Sequence, residues 1–445
     1  MFFCSTVYKN MPGGKTPAVP FKEAILQCLP QGGGLFIPES VPDLRHLLLH
    51  MGEETSYPEL VAAVSSLLFE GDLNPFSASR ISEGAFTFEP ELLRLDQNFS
   101  VLTLYGGPTG VFKDFGITFL AALLEELLHD DTAMVISASR GKTGVSIARA
   151  FQNRRNIISA LLYPDENIYG LARETYAPEG GNVIPIRIKG TLDDCQRLVG
   201  EVIRDRSFSE RYKVTSANAI NPGRLLPQAF YFLYSFIKLK KHITGELLFS
   251  IPSGNLGNLI AGLYAWKFGM PVNGYIAAMN INNPSGEFIK SGNFEDLKSG
   301  PIVPTVSSAL DISRPANYER LVSFYKESPA VMKNMVYTET VDDKHTLETM
   351  ERVWKKYRLY LDPHGAVAFA AAEKMAADRN FDGHIVILAT AHPAKYAEET
   401  RRATGQDLEL PDNLASLSRP AEPVAEIKPN LEDLESAIAG YSCAP

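Results

Sequence analysis

The chain has 445 residues, which is more than one hydrophobic core usually serves, so two or three domains are expected. Hydrophobic residues make up 45% and charged residues 21% of the chain, as in an ordinary globular protein. The formal net charge of -9 excludes a general electrostatic attraction to nucleic acid or to an anionic membrane, so a phosphorylated ligand needs a local basic pocket.

Cysteine usage and the N-terminus indicate the cellular setting. The cysteines Cys4, Cys28, Cys195 and Cys443 lack the spacing of a metal site, so we expect reduced thiols, no structural disulfide and no metal. The N-terminus lacks the regions of a signal peptide, and no run approaches the ~18 apolar residues of a membrane-spanning helix. The sequence therefore predicts a cytoplasmic protein without a membrane partner.

A glycine-rich turn over residues 104–116 presents Lys113 just ahead of an apolar helix over 115–129. A lysine held beside apolar residues loses hydration, which lowers its pKa and leaves an amine able to form a Schiff base. Lys113 is therefore a candidate anchor for pyridoxal phosphate (PLP). The alternative is a lysine that caps a loop on a solvated face.

Beyond this helix, apolar runs rich in β-formers alternate with helical patterns. The expected strands are 133–137, 157–163, 183–188, 247–251, 274–279 and 385–389. Such alternation is typical of parallel strands covered on both faces, so the fold class is α/β with more than one sheet region. The predicted divisions are a small N-terminal domain (1–95), an α/β domain with the lysine (96–244), a second α/β domain (245–415) and a C-terminal arm (416–445).

The run 247–253 is followed by a glycine-rich turn and a helical pattern. The turn consists of Gly254, Asn255, Leu256, Gly257 and Asn258. Backbone N–H groups freed by the glycines, with the positive end of the helix dipole, form a phosphate cradle. The spacing matches neither a P-loop nor a dinucleotide fingerprint, and a plain tight turn in an α/β sheet is the alternative.

A second turn, over 137–144, also follows an apolar strand and opens a helix. Its Lys142-Thr143 pair resembles the end of a Walker A motif, but the leading glycine is missing, which excludes a nucleoside triphosphate site. The turn remains a candidate anion site carrying Arg140 and Lys142, unless these side chains point to solvent. A third stretch places Arg224 in the first turn of a helix, where a cation is disfavoured unless an anion offsets it.

Two further polar turns lie at 362–365 and 390–395. His364 and His392 are candidate acid-base groups, although a histidine in a capping turn is more often structural. Thr390 follows a strand at the end where α/β sites collect, so it is the better candidate for contact with a cofactor ring.

Together these stretches resemble threonine synthase, a PLP enzyme of the tryptophan-synthase-like fold (fold type II), over about residues 5–400. The matching motifs are 107–116 (GPTGVFKDFG), 216–221 (SANAIN), 252–258 (PSGNLGN), 305–311 (TVSSALD), 362–366 (DPHGA) and 390–395 (TAHPAK). The resemblance implies two doubly wound parallel-sheet domains plus the small N-terminal one. It implies Lys113 as the Schiff-base residue, the turn 254–258 on the cofactor phosphate, Thr390 near the pyridine nitrogen, and Asn218 in the cofactor site.

The departures from the family pattern lie where the substrate is expected. Gly106 stands where the family usually has His, Ile117-Thr118 where it has Gly-Arg, and Arg140 and Lys142 where it has Ser and Asp. The cofactor site thus looks intact while the substrate site differs. The predicted substrate-binding residues are Ser139, Arg140, Gly141, Lys142, Thr143 and Arg224.

The resemblance implies a lyase that acts on a small anionic amino acid as a monomer or homodimer. The expected substrate is O-phospho-L-homoserine or a close phosphorylated or phosphonate analogue, with loss of phosphate from Cγ and addition of water at Cβ to give L-threonine. One alternative releases 2-oxobutyrate or captures the unsaturated intermediate with another nucleophile. A second alternative, from a different class, is a PLP-binding regulatory protein without catalysis.

Overall fold

The computed structural model describes residues 1–9, 18–139, 141–164, 181–293, 296–297, 300–379, 381–415, 417 and 423–439. Within them the strands are β1 (Phe2–Ser5), β2 (Val19–Pro20), β3 (Phe36–Pro38), β4 (Glu91–Arg94), β5 (Phe99–Thr103), β6 (Ala133–Ala138), β7 (Ile157–Tyr163), β8 (Val183–Ile188), β9 (Val214–Thr215), β10 (Glu246–Pro252), β11 (Gly274–Met279), β12 (Val336–Thr340), β13 (Gly383–Ala389) and β14 (Ala425–Ile427).

The helices in the same described residues are α1 (Thr6–Lys9), α2 (Phe21–Gln27), α3 (Arg45–His50), α4 (Tyr57–Leu68), α5 (Pro75–Ala85), α6 (Lys113–Leu128), α7 (Lys142–Phe151), α8 (Leu192–Arg204), α9 (Arg206–Tyr212), α10 (Pro222–Leu225), α11 (Ala229–Leu239), α12 (Gly257–Lys267), α13 (Gly286–Ser291), α14 (Tyr318–Glu327), α15 (Pro329–Met335), α16 (Asp343–Tyr357), α17 (Pro363–Arg379), α18 (Ala397–Thr404), α19 (Asp412–Ala415) and α20 (Leu431–Ala439). None of these described helices is long and apolar enough to cross a membrane.

Two sheets carry the architecture. The larger has the order β12-β11-β10-β13-β5-β4 and is parallel except for β4, which runs antiparallel to β5. The second has the order β14-β8-β7-β6-β9 and is parallel throughout. A small antiparallel sheet, β2-β1-β3, lies near the N-terminus. The predicted α/β class with two parallel sheets is confirmed.

The central strands are buried on both faces, as parallel sheets covered by helices require. Every residue of β6, β11 and β13 is buried. Helix α6 buries most of its length, from Asp114 to Leu128, inside the largest core cluster. Helix α4 is started by a capping box, in which Ser56 and Glu59 satisfy each other's backbone N–H groups. The start of α4 is therefore determined by local sequence, while the position of α6 depends on its burial in the core.

Strand pairing crosses the predicted domain boundaries. β4 falls in the predicted N-terminal domain and β5 in the predicted 96–244 domain, yet both pair into the sheet built mainly from 245–415. β14 belongs to the predicted C-terminal arm and extends the second sheet by pairing with β8. Pairing between strands far apart in the chain leaves no local pattern in the sequence, so the sequence-based divisions do not follow the sheets.

Candidate active site

Three neighbouring strands of the larger sheet bring the main predicted site residues to one edge. β10, β13 and β5 are parallel neighbours, so their carboxyl ends meet there. The glycine-rich turn follows β10, Thr390 follows β13, and the turn that presents Lys113 follows β5. The carboxyl edge of parallel strands is where ligands of open α/β sheets bind.

Lys113 is the first residue of α6, and its amine is enclosed by protein. Burial lowers its pKa to about 8, with further lowering by the cations Arg224 and Lys395, while the carboxylate of Asp114 opposes the shift. A lysine with this pKa has an appreciable neutral fraction near neutral pH. The sequence-based expectation of a desolvated amine at this position agrees with this environment.

The turn before Lys113 is fixed by Asp114, which the sequence analysis did not single out. Asp114 is buried, and its two carboxylate oxygens accept from Thr109, at 2.8 Å from the backbone N–H and 2.6 Å from the hydroxyl. The Thr109 hydroxyl also lies 2.7 Å from the Ser146 hydroxyl on α7. The sequence contains a signal for this role, because Asp114 is a charged residue at the start of a largely apolar helix. Such a residue needs a hydrogen-bond donor when it is buried.

The same turn is tied to the segment after β13. Phe112 donates its backbone N–H to the Thr390 carbonyl at 2.9 Å, and His392 donates to the Gly110 carbonyl at 2.9 Å. Lys395 donates its Nζ to the Thr109 carbonyl at 2.5 Å. In the described residues no protein group bonds to the Thr390 hydroxyl, which is therefore available at the site. Lys113 and Thr390 are thus held in one rigid unit.

The turn 254–258 has the features of an anion cradle. Leu256 has a left-handed backbone (φ 60°), and α12 begins at Gly257 with no side chain capping its free N–H groups. A Cβ on Gly254 would lie 3.1 Å from the Ala309 carbonyl, so the backbone is already closely packed. The Asn258 side-chain oxygen, Oδ1, accepts from the Tyr231 hydroxyl, while its buried Nδ2 has no partner among the described residues.

These features fit a phosphate group, because the uncapped N–H groups and the unpaired amide both donate. Asn255 is exposed, and its side-chain oxygen accepts from the Ala316 backbone at 3.1 Å, so it also anchors the neighbouring loop.

The carboxyl edge of the second sheet supplies the other wall. The Asn218 amide bonds to both the backbone N–H and the carbonyl of Ala138, each at 2.9 Å, which joins the ends of β9 and β6. The Ser139 hydroxyl accepts from Gly144 and Gly141 at 2.7 and 3.2 Å, so it stabilises its own turn at the start of α7. Arg140 lies outside the described residues.

Lys142 opens α7, is followed by Thr143, and points into the site. Its Nζ lies 3.4 Å from the centroid of the Tyr396 ring. Burial lowers the Lys142 pKa to about 7, with contributions from Lys113 and Lys395, while Asp362 and Glu399 oppose the shift. A lysine that pointed to solvent would have neither this contact nor these neighbours.

Arg224 is buried beside Lys113. Its Nη1 donates to the Ala217 carbonyl at 2.7 Å, while its buried Nε has no partner in the described residues. Burial lowers its pKa to about 10. The expectation that Arg224 needs an anion agrees with this unpaired donor.

The two candidate histidines have structural contacts. His364 is buried, with Nδ1 2.5 Å from an Asp362 carboxylate oxygen and Nε2 accepting from the Ala309 backbone at 3.1 Å. Both ring nitrogens are engaged, which favours the structural role. His392 accepts from the Ala394 backbone at 3.3 Å, and burial lowers its pKa.

A residue missed by sequence reasoning is Arg320 on α14. It is fully buried, and its guanidinium donates to the carbonyls of Phe36, Ala219 and Ile220 at 3.1, 3.2 and 2.6 Å. It thereby joins β3 to the 216–221 loop. In the sequence it lies next to Glu319 on an amphipathic helix, where an arginine looks like part of the solvated face.

Comparisons with known proteins agree with this geometry. The family profile described as "Pyridoxal-phosphate dependent enzyme" matches residues 97–391, and the profiles "Threonine synthase N terminus" and "Threonine synthase, C-terminal" match 8–86 and 365–438. Threonine synthase of Haemophilus influenzae is 33% identical over 396 residues, covering 89% of this chain and 91% of that protein, and the Escherichia coli enzyme is 31% identical over 397 residues, with the same coverage.

Solved structures give the same result. The crystal structure of threonine synthase from Escherichia coli superposes with a TM-score of 0.84 at 28% identity, covering 99% of this chain and all of that one. The PLP-bound threonine synthase from Brucella melitensis gives 0.85 at 27% identity, with both chains fully covered.

Proposed function

The chain belongs to the threonine synthase family of PLP-dependent enzymes, and we propose that it converts O-phospho-L-homoserine, or a close phosphorylated analogue, into L-threonine and inorganic phosphate. The observation that carries the proposal is the meeting of the lysine, the anion cradle and Thr390 at the ends of three neighbouring parallel strands. The cations Arg224 and Lys142 lie near Lys113 and could bind an amino acid that carries two anionic groups.

The contacts described above support the following residues as those that would hold the cofactor. Lys113 Nζ would hold PLP covalently, the N-terminus of α12 with Asn258 Nδ2 its phosphate, and the Thr390 hydroxyl its ring nitrogen. When bound, PLP supplies an electron sink for negative charge on the substrate carbon next to the amino group. A neutral hydroxyl at Thr390 has no negative charge to stabilise a protonated ring nitrogen, so the ring would be a weaker electron sink.

The remaining work belongs to side chains of this protein. With a pKa of about 8, Lys113 Nζ is able to accept a proton from a substrate carbon and return it near neutral pH. Arg224 and Lys142 bind the anionic groups of the substrate, since each has donors that no described protein group uses. Asp114 and Lys395 hold the turn that aims the lysine.

We propose further that the enzyme acts in the cytoplasm, as a monomer or homodimer, on a small anionic amino acid and without a nucleic-acid or membrane partner. The net charge of -9 and the buried, reduced thiols of Cys28 and Cys195 support this setting.

The test is a product assay with O-phospho-L-homoserine, followed by mass spectrometry and a phosphate assay. L-Threonine and phosphate in equal amounts are expected from the wild type and from neither boiled enzyme nor Lys113→Ala. Release of 2-oxobutyrate in place of threonine would move the proposal to the first alternative. Binding of PLP without turnover of any phosphorylated amino acid would favour the regulatory alternative.

A further inference from the structure

Lys142 is placed at an electrostatically unfavourable point. It lies in the first turn of α7, where the helix dipole is positive, and its pKa is lowered by burial and further by the cations Lys113 and Lys395. Asp362 and Glu399 face it as opposing acids, but neither forms an ion pair with it in the described residues. A bound anion would stabilise the charged form of an amine in this position.

Its neighbour Lys395 has a hydrogen-bond acceptor that Lys142 lacks within the described residues, because Lys395 donates to the Thr109 carbonyl. Lys142 Nζ contacts the Tyr396 ring face at 3.4 Å, and no described oxygen accepts from it. An ammonium group has three donors, so the ring contact leaves N–H groups for a ligand.

The ring under Lys142 is rigidly built. Tyr396 is buried, and its ring packs edge-on against the His364 ring with centroids 5.0 Å apart. His364 is in turn fixed by Asp362 and by the Ala309 backbone. These contacts make Tyr396 a positioning residue for the Lys142 amine.

We propose that the Tyr396 ring positions the Lys142 amine to bind a negatively charged oxygen of the amino-acid substrate, and that this amine takes up a proton as the substrate binds. This inference rests on the proposed function, because it assumes an anionic amino acid in the PLP site. The oxygen belongs to the carboxylate or to the phosphoryl group, and the two are separated by the choice of ligand below.

Proton uptake follows from linkage. The Lys142 pKa of about 7 belongs to the chain with a free Lys113 amine, so part of the Lys142 amine is neutral at pH 8 before a ligand binds. An anion in contact raises that pKa, so binding at pH 8 should take up a fraction of a proton per site. Facing groups that also titrate are Lys113, Lys395, Tyr396, Asp362 and Glu399, so the uptake assigned to Lys142 is the difference between wild type and variant.

The experiment uses the PLP-loaded enzyme and calorimetric titration at pH 8 in two buffers of different ionisation enthalpy. The ligands are L-2-aminobutyrate, which carries only a carboxylate, and L-2-amino-5-phosphonopentanoate, which carries both groups and cannot release phosphate. The proteins are the wild type, Lys142→Met, Lys142→Gln, Tyr396→Phe and Tyr396→Leu. Cofactor content and melting temperature are measured for each.

Lys142→Met should weaken binding by about 10- to 100-fold, the size of one charge-assisted hydrogen bond, and should take up fewer protons on binding than the wild type does. Equal weakening of both ligands assigns the carboxylate, and weakening of the phosphonate alone assigns the phosphoryl group. Tyr396→Phe keeps the ring and should behave as wild type, while Tyr396→Leu should lose part of both effects.

Unchanged affinity and unchanged proton uptake in Lys142→Met would overturn the inference. If that variant fails to retain PLP, Lys142→Gln provides the same comparison with a polar side chain. Threonine production by the wild type is scored separately, so failure of this inference is distinguishable from failure of the proposed function.

Discussion

Replacing Asp114 by Asn tests whether this carboxylate holds the lysine turn. Both oxygens of Asp114 accept from Thr109, one from the backbone N–H at 2.8 Å and one from the hydroxyl at 2.6 Å. An asparagine of the same shape accepts from the Thr109 N–H, and its NH₂ group can donate to the Thr109 hydroxyl, which then turns to donate to Ser146. The variant therefore replaces two hydrogen bonds to a charged group by two neutral ones.

The expected loss is about 1–2 kcal/mol in the free energy of unfolding, because two hydrogen bonds to a charged group, at about 1.5–3 kcal/mol each, become neutral bonds of about 0.5–1.5 kcal/mol, less the relief from removing a buried charge. Urea unfolding followed by circular dichroism measures it. Asp43→Asn is the matched control, because Asp43 is exposed and pairs with Arg45 at the surface, so its midpoint should hardly move.

A second readout is the pH dependence of cofactor capture by the PLP-free enzyme. The Asp114 charge raises the Lys113 pKa, so its removal should lower that pKa below about 8 and shift half-maximal capture to lower pH. An unfolding midpoint equal to wild type, together with an unmoved capture profile, would refute the role assigned to Asp114.

Three further outcomes are expected. Lys113→Ala should abolish the visible absorbance band of the bound cofactor, and an unchanged band in the spectrum would remove Lys113 from its assigned role. Gly254→Asp should lower PLP retention after dialysis, because it puts a negative charge into the cradle and a Cβ 3.1 Å from the Ala309 carbonyl. Gly254→Ala is the control that separates the effect of packing from that of charge. Full PLP occupancy in the Asp variant would place the phosphate elsewhere. Arg320→Gln should lower unfolding stability by about 3 kcal/mol or more, since it leaves the Ala219 and Ile220 carbonyls without donors; a urea midpoint equal to wild type would contradict this.

The sequence by itself determined the local units and their chemistry. The apolar runs predicted parallel strands, the glycine-rich turns predicted an anion cradle, and the turn before α6 singled out Lys113. These features depend on a few consecutive residues, since a turn type, a helix start or a strand period is set by neighbours in the chain.

The tertiary structure decided which units meet and where side chains point. β5 pairs with β13 across more than half of the chain, and only that pairing brings Lys113 beside Thr390. The orientation of Lys142 onto Tyr396, and the burial of Arg320 against three carbonyls, depend on packing between elements distant in sequence. The sequence around a lysine in a polar turn is the same whether its side chain faces solvent or a binding site. Its hydration depends on which distant elements pack against it.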